Sequence, residues 1–341
     1  MPTASYFGRN AFVGLAKEAH DATYGTAKAS SAITVRRPVV SCSVLRQVEK
    51  VPRSNLMVSG VHGLRKGHYI ASDKVSGSLE LEMTYDNCGY FVYELMGAAA
   101  TTPESGLPKT HAYTMADVPC PPLGESTASG TTMFLQRGTG QVEAFEGVCF
   151  TAGTFSCAAG EQMSLSMDLI GETSGTGRAT AITYSEPTAE NLVLHNQSST
   201  LSWNSQTFEM IDFEYKIENA IADRMRLGST VTKQPVVSDF RSVTMTITIE
   251  TDDVEGYAKF LDDTSSDAIV EFSNGAAGEA LRKVKFSLNS AYIESYTDEI
   301  SEVGLITASI PFRAEGDGSS GLALGASIEV TNGADTAVHN G

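Results

Sequence analysis

The sequence predicts a mainly β fold built from two similar sandwich- or barrel-like domains, each with one short helix. Three observations carry that expectation: apolar and polar residues alternate with period two, only two short stretches have a helical pattern, and the order of elements in the first half recurs in the second. The clearest alternation is Leu79-Glu80-Leu81-Glu82-Met83-Thr84-Tyr85, joined by Val243 to Glu250 and, with one slip, by Phe208 to Tyr215. Successive side chains on a strand point to opposite faces, so such runs are half-buried antiparallel strands.

In chain order, residues 1–29 are expected as an arm that neither repeat needs, followed by an opening strand from Ile33 to Leu45. A loop of nearly thirty residues then leads to the alternating strand Val75 to Tyr85. Asn87 to Gly97 is predicted as a helix entered through an Asp-rich corner, because Asp caps helix N-termini. Gln141 to Phe150 and Met163 to Ile170 close the unit, separated by Gly, Ser and Thr clusters that favour turns. The second half repeats this order: Phe208 to Ile217, Val243 to Thr251, a helix from Val254 to Asp263, then Val284 to Glu294 and Gly304 to Ala314, with Ile269 to Phe272 as a further strand. A shift of 167 residues carries Thr84, Asp86, Gly89 and Tyr90 onto Thr251, Asp253, Gly256 and Tyr257, pointing to an internal duplication. The expected division is an arm at 1–29, a first domain at 30–185, a polar linker at 186–202, a second domain at 203–316 and a Gly-rich tail at 317–341.

Charge and composition exclude several classes. A formal net charge of −17 argues against a surface built to bind nucleic acid by releasing counterions from phosphates. Charged residues are 19% and hydrophobic ones 41%, a composition that folds. No apolar run reaches the roughly 18 residues of a membrane helix, and the N-terminal cluster Ala11 to Ala16 is too short for a signal-peptide core, so no membrane association or secretion by that route is expected. The charge is uneven: residues 1–75 hold 11 Lys/Arg and 4 Asp/Glu, a net of +7, so the other residues carry −24. The cations are spread out rather than run together, which favours pairing with the acidic part of another copy.

Chemistry is sought and not found. The cysteines Cys42, Cys88, Cys120, Cys149 and Cys157 are odd in number and lack a Cys-x-x-Cys pair, so buried free thiols are expected. The six histidines have no metal-ligand spacing. Gly171 to Arg178 is Gly-rich but has no Lys-Ser/Thr to reach a nucleotide's phosphates and magnesium. Asp252, Asp253, Asp262, Asp263 and Asp267 crowd the second helix without the spacing of a calcium loop. The single tryptophan, Trp203, reads as a residue packed at the domain joint, not as a sugar-binding platform. No catalytic residue, cofactor or metal is expected.

Val13-Gly14-Leu15-Ala16-Lys17-Glu18, running into Ala22-Thr23-Tyr24-Gly25-Thr26, resembles the G-x-G-K-E-x-x-Y-G-T opening of the tail tube, or major tail, proteins of long-tailed bacteriophages. It departs from that pattern at Ala16 and by an inserted His20-Asp21. Val75 to Glu82 followed by Gly89 to Gly97 is similar to the family's strand-then-helix segment, and Ile306 to Ala314 resembles its closing strand. The resemblance implies no active site and a structural virion protein that forms stacked rings around a lumen, through which DNA passes without specific binding. Longer chains of the family hold two tube domains, so three copies are expected to give a pseudo-six-fold ring, with a hexamer of whole chains as the alternative. Other tail proteins are the expected partners at the tube ends, with assembly in the host cytoplasm. The competing class is a surface or secreted filament subunit of pilus or S-layer type. Within the tube reading, Glu80, Glu82, Glu209 and Glu214 are the candidates to face the lumen, since DNA sliding past like charge is not held. Arg46, Lys50, Arg53, Arg65 and Lys66, in the long loop, are the candidates to drive ring stacking.

Overall fold

The computed structural model describes residues 11–18, 29, 33, 35–52, 56–57, 64–65, 67–86, 88–102, 108–116, 130–137, 142–174, 192–197, 200–250, 255–261, 263–299, 307–314 and 325–332. Its first-half strands are β1 Phe12–Lys17, β2 Val35–Pro38, β3 Ser41–Cys42, β4 Leu45–Pro52, β5 Leu56–Met57, β6 Leu64–Arg65, β7 His68–Glu82, β8 Gly97–Thr102, β9 Lys109–Met115, β10 Thr131–Gln136, β11 Val142–Ala158, β12 Ser164–Gly171 and β13 Thr173–Ser174. The second half adds β14 Leu201–Trp203, β15 Gln206–Phe208, β16 Met210–Glu218, β17 Ile221–Arg224, β18 Lys233–Val237, β19 Ser242–Glu250, β20 Ser266–Ser273, β21 Lys283–Ile293, β22 Thr297–Glu299, β23 Thr307–Arg313 and β24 Ala326–Asn332. The helices are α1 Gly89–Met96 and α2 Glu255–Leu261, inside the two stretches with a helical pattern.

The molecule is mainly β and its sheets are antiparallel. One sheet runs β4 and β3, then β7, β12, β11, β16, β19 and β23, with the end of β21 and β22 on the far side. A second layer runs β8, β9, β24, β21, β20, β14 and β15. β2, β1, β10, the start of β11 and β13 form a third group. The alternation explains the layering: Leu79, Leu81, Met245 and Ile247 turn inward and are essentially unexposed. Phe213 meets Phe272 and Phe286 with ring centroids 5.4 and 5.2 Å apart, and Phe155 and Tyr215 meet Phe286 at 5.3 and 5.1 Å. Each such side chain contributes roughly 1.5–3 kcal/mol by burial, so this cluster clamps the two layers. Trp203 is fully buried, packs on Phe312 at 5.5 Å and donates its indole N–H to the Ala291 carbonyl at 3.2 Å.

Four segments differ from the sequence expectation. The opening strand breaks after Pro38 into β2 and β3, and the expected loop contains β4, which pairs with the first half of β7, through a bulge between Glu49 and Lys50, to make a two-stranded arm. The expected N-terminal arm contains β1, whose Val13 and Leu15 are fully buried. The expected tail contains β24, a mostly buried strand between β9 and β21 that ties the two halves together. The expected linker holds Val193, fully buried, which donates to Met83 O and accepts from Met163 N. The repeat is also not a constant shift. Moving Leu79 and Leu81 by 167 lands them on Thr246 and Thr248, the opposite face from buried Met245 and Ile247, so a one-residue slip separates strand from helix in the two halves.

Candidate functional site

The sheet that begins with β4 has one face against the core and one face turned away. Register fixes the outer face row by row. Glu80 stands opposite Ser166, then Thr154, Lys216, Thr244 and Arg313. In the next row Glu82 stands opposite Ser164, then Ser156, Glu214, Thr246 and Pro311. Ser156 and Ser164 hydroxyls bond at 2.9 Å, Ser41 donates to Glu80 at 2.8 Å, and Gln162 donates to Glu82 at 2.6 Å. The face is thus hydroxyl-rich, and its carboxylates, Glu80, Glu82, Asp168, Asp212, Glu214, Glu218 and Glu250, outnumber Lys74, Lys216 and Arg313. Of the sequence candidates, Glu80, Glu82 and Glu214 share this face; Glu209 is exposed but lies before β16, next to the bulge between Met210 and Asp212.

Within this sheet the halves meet where β11 pairs with β16, Ala152 opposite Glu218 through Ala158 opposite Asp212. A polar latch sits at that junction. Asn219, wholly buried, donates from Nδ2 to Leu95 O at 3.1 Å and Phe150 O at 3.2 Å. Its Oδ1 accepts from Arg241 Nε at 3.0 Å and Nη2 at 2.7 Å, and Arg241 also reaches the Ala116, Leu95 and Met96 carbonyls. The last carbonyls of a helix lack intrahelical partners and carry partial negative charge, so this guanidinium satisfies the C-terminus of α1. Nothing in the sequence period marks Asn219 and Arg241, since the α1 carbonyls that they hold lie more than a hundred residues away.

Two arms project from the sheet: β4 with the start of β7, and β17 with β18. They touch through Asp73 N to Thr230 O at 2.7 Å and a Lys74–Asp223 ion pair at 2.7 Å. Among the described residues, exposed large apolar side chains concentrate here: Leu45, Val48, Tyr69 and Ile70 on the first arm, Met225, Leu227, Val237 and Phe240 on or beside the second. Tyr69, Ile70, Met225 and Leu227 line an open groove between them. Arg46 lies on the first arm, its Nε and Nη2 on Asp73 at 2.7 and 2.5 Å, and that pairing raises its pKa further. Lys50 is exposed on β4 opposite Ile70. Arg65 belongs to β6, and Arg53 and Lys66 lie outside the described residues.

Chemically reactive groups are muted. Cys42, Cys88, Cys149 and Cys157 are free thiols, and burial pushes Cys88 up to about 12 and Cys157 to about 11, leaving almost no thiolate at neutral pH. Burial lifts Glu172 to about 7, helped by Glu146 and Glu18 and opposed by Lys233. Among the described residues no group of His, Cys, Asp and Glu has a metal-holding arrangement, and no helix is long and apolar enough to cross a membrane.

A search of curated proteins returns no match. The sequence model of the phage tail tube protein family matches residues 8–314, nearly the whole chain. With its layered antiparallel sheets, hydroxyl-rich acidic face and inert thiols, this chain belongs to the phage tail tube protein family, whose role in the virion tail is structural.

Proposed function

We propose that the chain polymerises into stacked rings that form the tail tube, three copies to a ring, and that DNA passes along the lumen during delivery to the host. The observation that carries this reading is the strand order of the first sheet. In the first half it is opening strand (β3 and β4), alternating strand β7, then β12 and β11; in the second it is β16, β19, β23, then the end of β21 with β22. The same four-strand unit occurs twice, and β11 meets β16 between the units. The two edges without a further strand among the described residues, β3 and β4 at one side and β21 and β22 at the other, are the same kinds of edge as β16 and β11. A second copy can therefore add as the second half adds to the first. Open strand edges are otherwise sites of uncontrolled pairing, and a closed ring removes them. Three two-unit copies give pseudo-six-fold symmetry, and the units correspond to the proposed domains at 30–185 and 203–316.

In this arrangement the face carrying Glu80, Glu82 and Glu214 lines the lumen, with Glu209 at its end. Its net negative charge repels the phosphate backbone, and its cations Lys74, Lys216 and Arg313 are each paired with a carboxylate. Lys50 on the first arm, with Arg53, Arg65 and Lys66 of the sequence between β4 and β7, stacks rings against the acidic body of the next ring, and other tail proteins engage the tube ends. Assembly takes place in the host cytoplasm. Electron cryomicroscopy of concentrated protein tests this: a hollow tube with three chains per ring is expected. Six whole chains per ring overturns the stoichiometry, and a channel in which cations outnumber carboxylates overturns the charge argument.

A further inference from the structure

We propose that Arg46 of one copy caps the C-terminal end of α2 in the neighbouring copy of the same ring, as Arg241 and Asn219 cap α1 within the chain; this rests on the ring reading above. The two helices are unequally covered. Every residue of α1 except Tyr93 is buried, whereas Tyr257 and Leu261 of α2 are 46% and 63% exposed. What covers the end of α1 comes from across the β11–β16 junction: Asn219 just after β16, and Arg241 just before β19.

The open edge carries a counterpart of that latch. Arg241 stands two residues before Val243, the first fully buried residue of β19, and Asp73 stands two residues before Val75, fully buried on β7. Arg46, on the edge strand β4, is directly opposite Val75 and bonds to Asp73 as Asn219 bonds to Arg241 across β16 and β19. Both places hold a guanidinium fixed by a side-chain partner on the adjacent strand. Asp73 occupies Nε and Nη2, while Nη1 makes only a 3.5 Å contact with Ser174 O and remains available to a carbonyl. The end of α2 suits it: the last helical carbonyls are partly negative and Asp263, exposed, follows them. Arg46 then acts within the ring, not between rings.

The test uses full-length protein under conditions in which the wild type forms rings. Arg46→Glu is expected to lower ring formation at least about tenfold, the size of one charge-assisted interfacial hydrogen bond, with the residue arriving as soluble single chains. Arg46→Lys keeps the charge and is expected to assemble. Treated with a zero-length carbodiimide, those assemblies should join position 46 to Asp263, and mixing isotope-labelled with unlabelled copies should show the link to be between chains. Rings that form normally from the Arg46→Glu protein, or Arg46→Lys assemblies without that link, overturn the inference and leave the ring reading standing. Stacking lost while rings persist assigns Arg46 to the axial contact and overturns it as well. Wild-type protein that never forms rings overturns the ring reading, and the inference with it.

Discussion

At the scale of single residues, Asn219 illustrates how few side chains carry the join between halves. Its amide, wholly buried, serves two carbonyls and one partly buried guanidinium. Asn219→Ala leaves those groups short of partners, and buried unsatisfied polar groups cost about 1–3 kcal/mol each. Denaturant unfolding is expected to show a loss of roughly 2–4 kcal/mol, whereas an equal truncation at exposed Thr207 leaves the midpoint in place. Glu172 gives a pH dependence of opposite sign to the usual ion-paired carboxylate. Its folded value of about 7 lies above the 4.5 of an ordinary glutamate, so the native state holds the proton more tightly than the unfolded chain. No penalty exists below about pH 4.5; it grows as pH rises and is complete above pH 7. Glu172→Gln, which cannot ionise, should therefore gain thermal stability over wild type as pH rises from 5 to 8. Parallel melting curves across that window would assign the shift to other groups.

At the scale of elements, Gly77 shows why β3 and β4 can lie against β7. A Cβ at that position would sit 2.5 Å from Val44 Cα and 2.7 Å from Val44 N, backbone atoms that cannot swing aside. Gly77→Ala is expected to lift the β3–β4 edge off β7, cost about 2 kcal/mol or more, and speed hydrogen exchange at Ser43 and Val44 selectively. Uniform exchange with normal ring formation would count against that edge as the joining surface. The same region explains what the sequence conceals. β7 and β19 were legible because one face is buried and the other solvated, which writes a period of two into their residues. β4 is exposed at seven of its eight residues, so no apolar period marks it and it reads as loop. β24 is short and follows a Gly-rich run, and its identity depends on pairing with β9 more than two hundred residues earlier. The parity of Glu80 and Glu82 was readable for the same reason as the strand itself. The Arg241 latch was not, because long-range contacts leave no local pattern.

At the scale of the whole molecule, charge and apolar surface are both distributed unevenly, and together they bear on stacking. Residues 1–75 carry a net +7 against −24 for the rest, yet Arg46 is already engaged with Asp73 and Lys74 with Asp223. Individual exposed ion pairs contribute only about 0–1 kcal/mol, so the remaining arm cations orient one ring on the next without holding it. The apolar groove supplies more: burying a Leu or Ile side chain is worth roughly 1.5–3 kcal/mol, and Ile70 and Leu227 present theirs from different arms of the same chain, 44% and 105% exposed. Replacing both with Ser should leave folding and ring formation intact, because neither contributes to the core, and abolish growth into tubes. Charge reversal at Lys50, Arg53, Arg65 and Lys66 should slow tube growth less severely, and raised salt should slow the wild type in the same measure, since screening acts on exposed charge and not on buried apolar area. Light scattering during assembly separates the two contributions. Tubes growing at the wild-type rate from the double Ser protein would mean that the groove faces solvent in the tube and that the rings stack through some other surface.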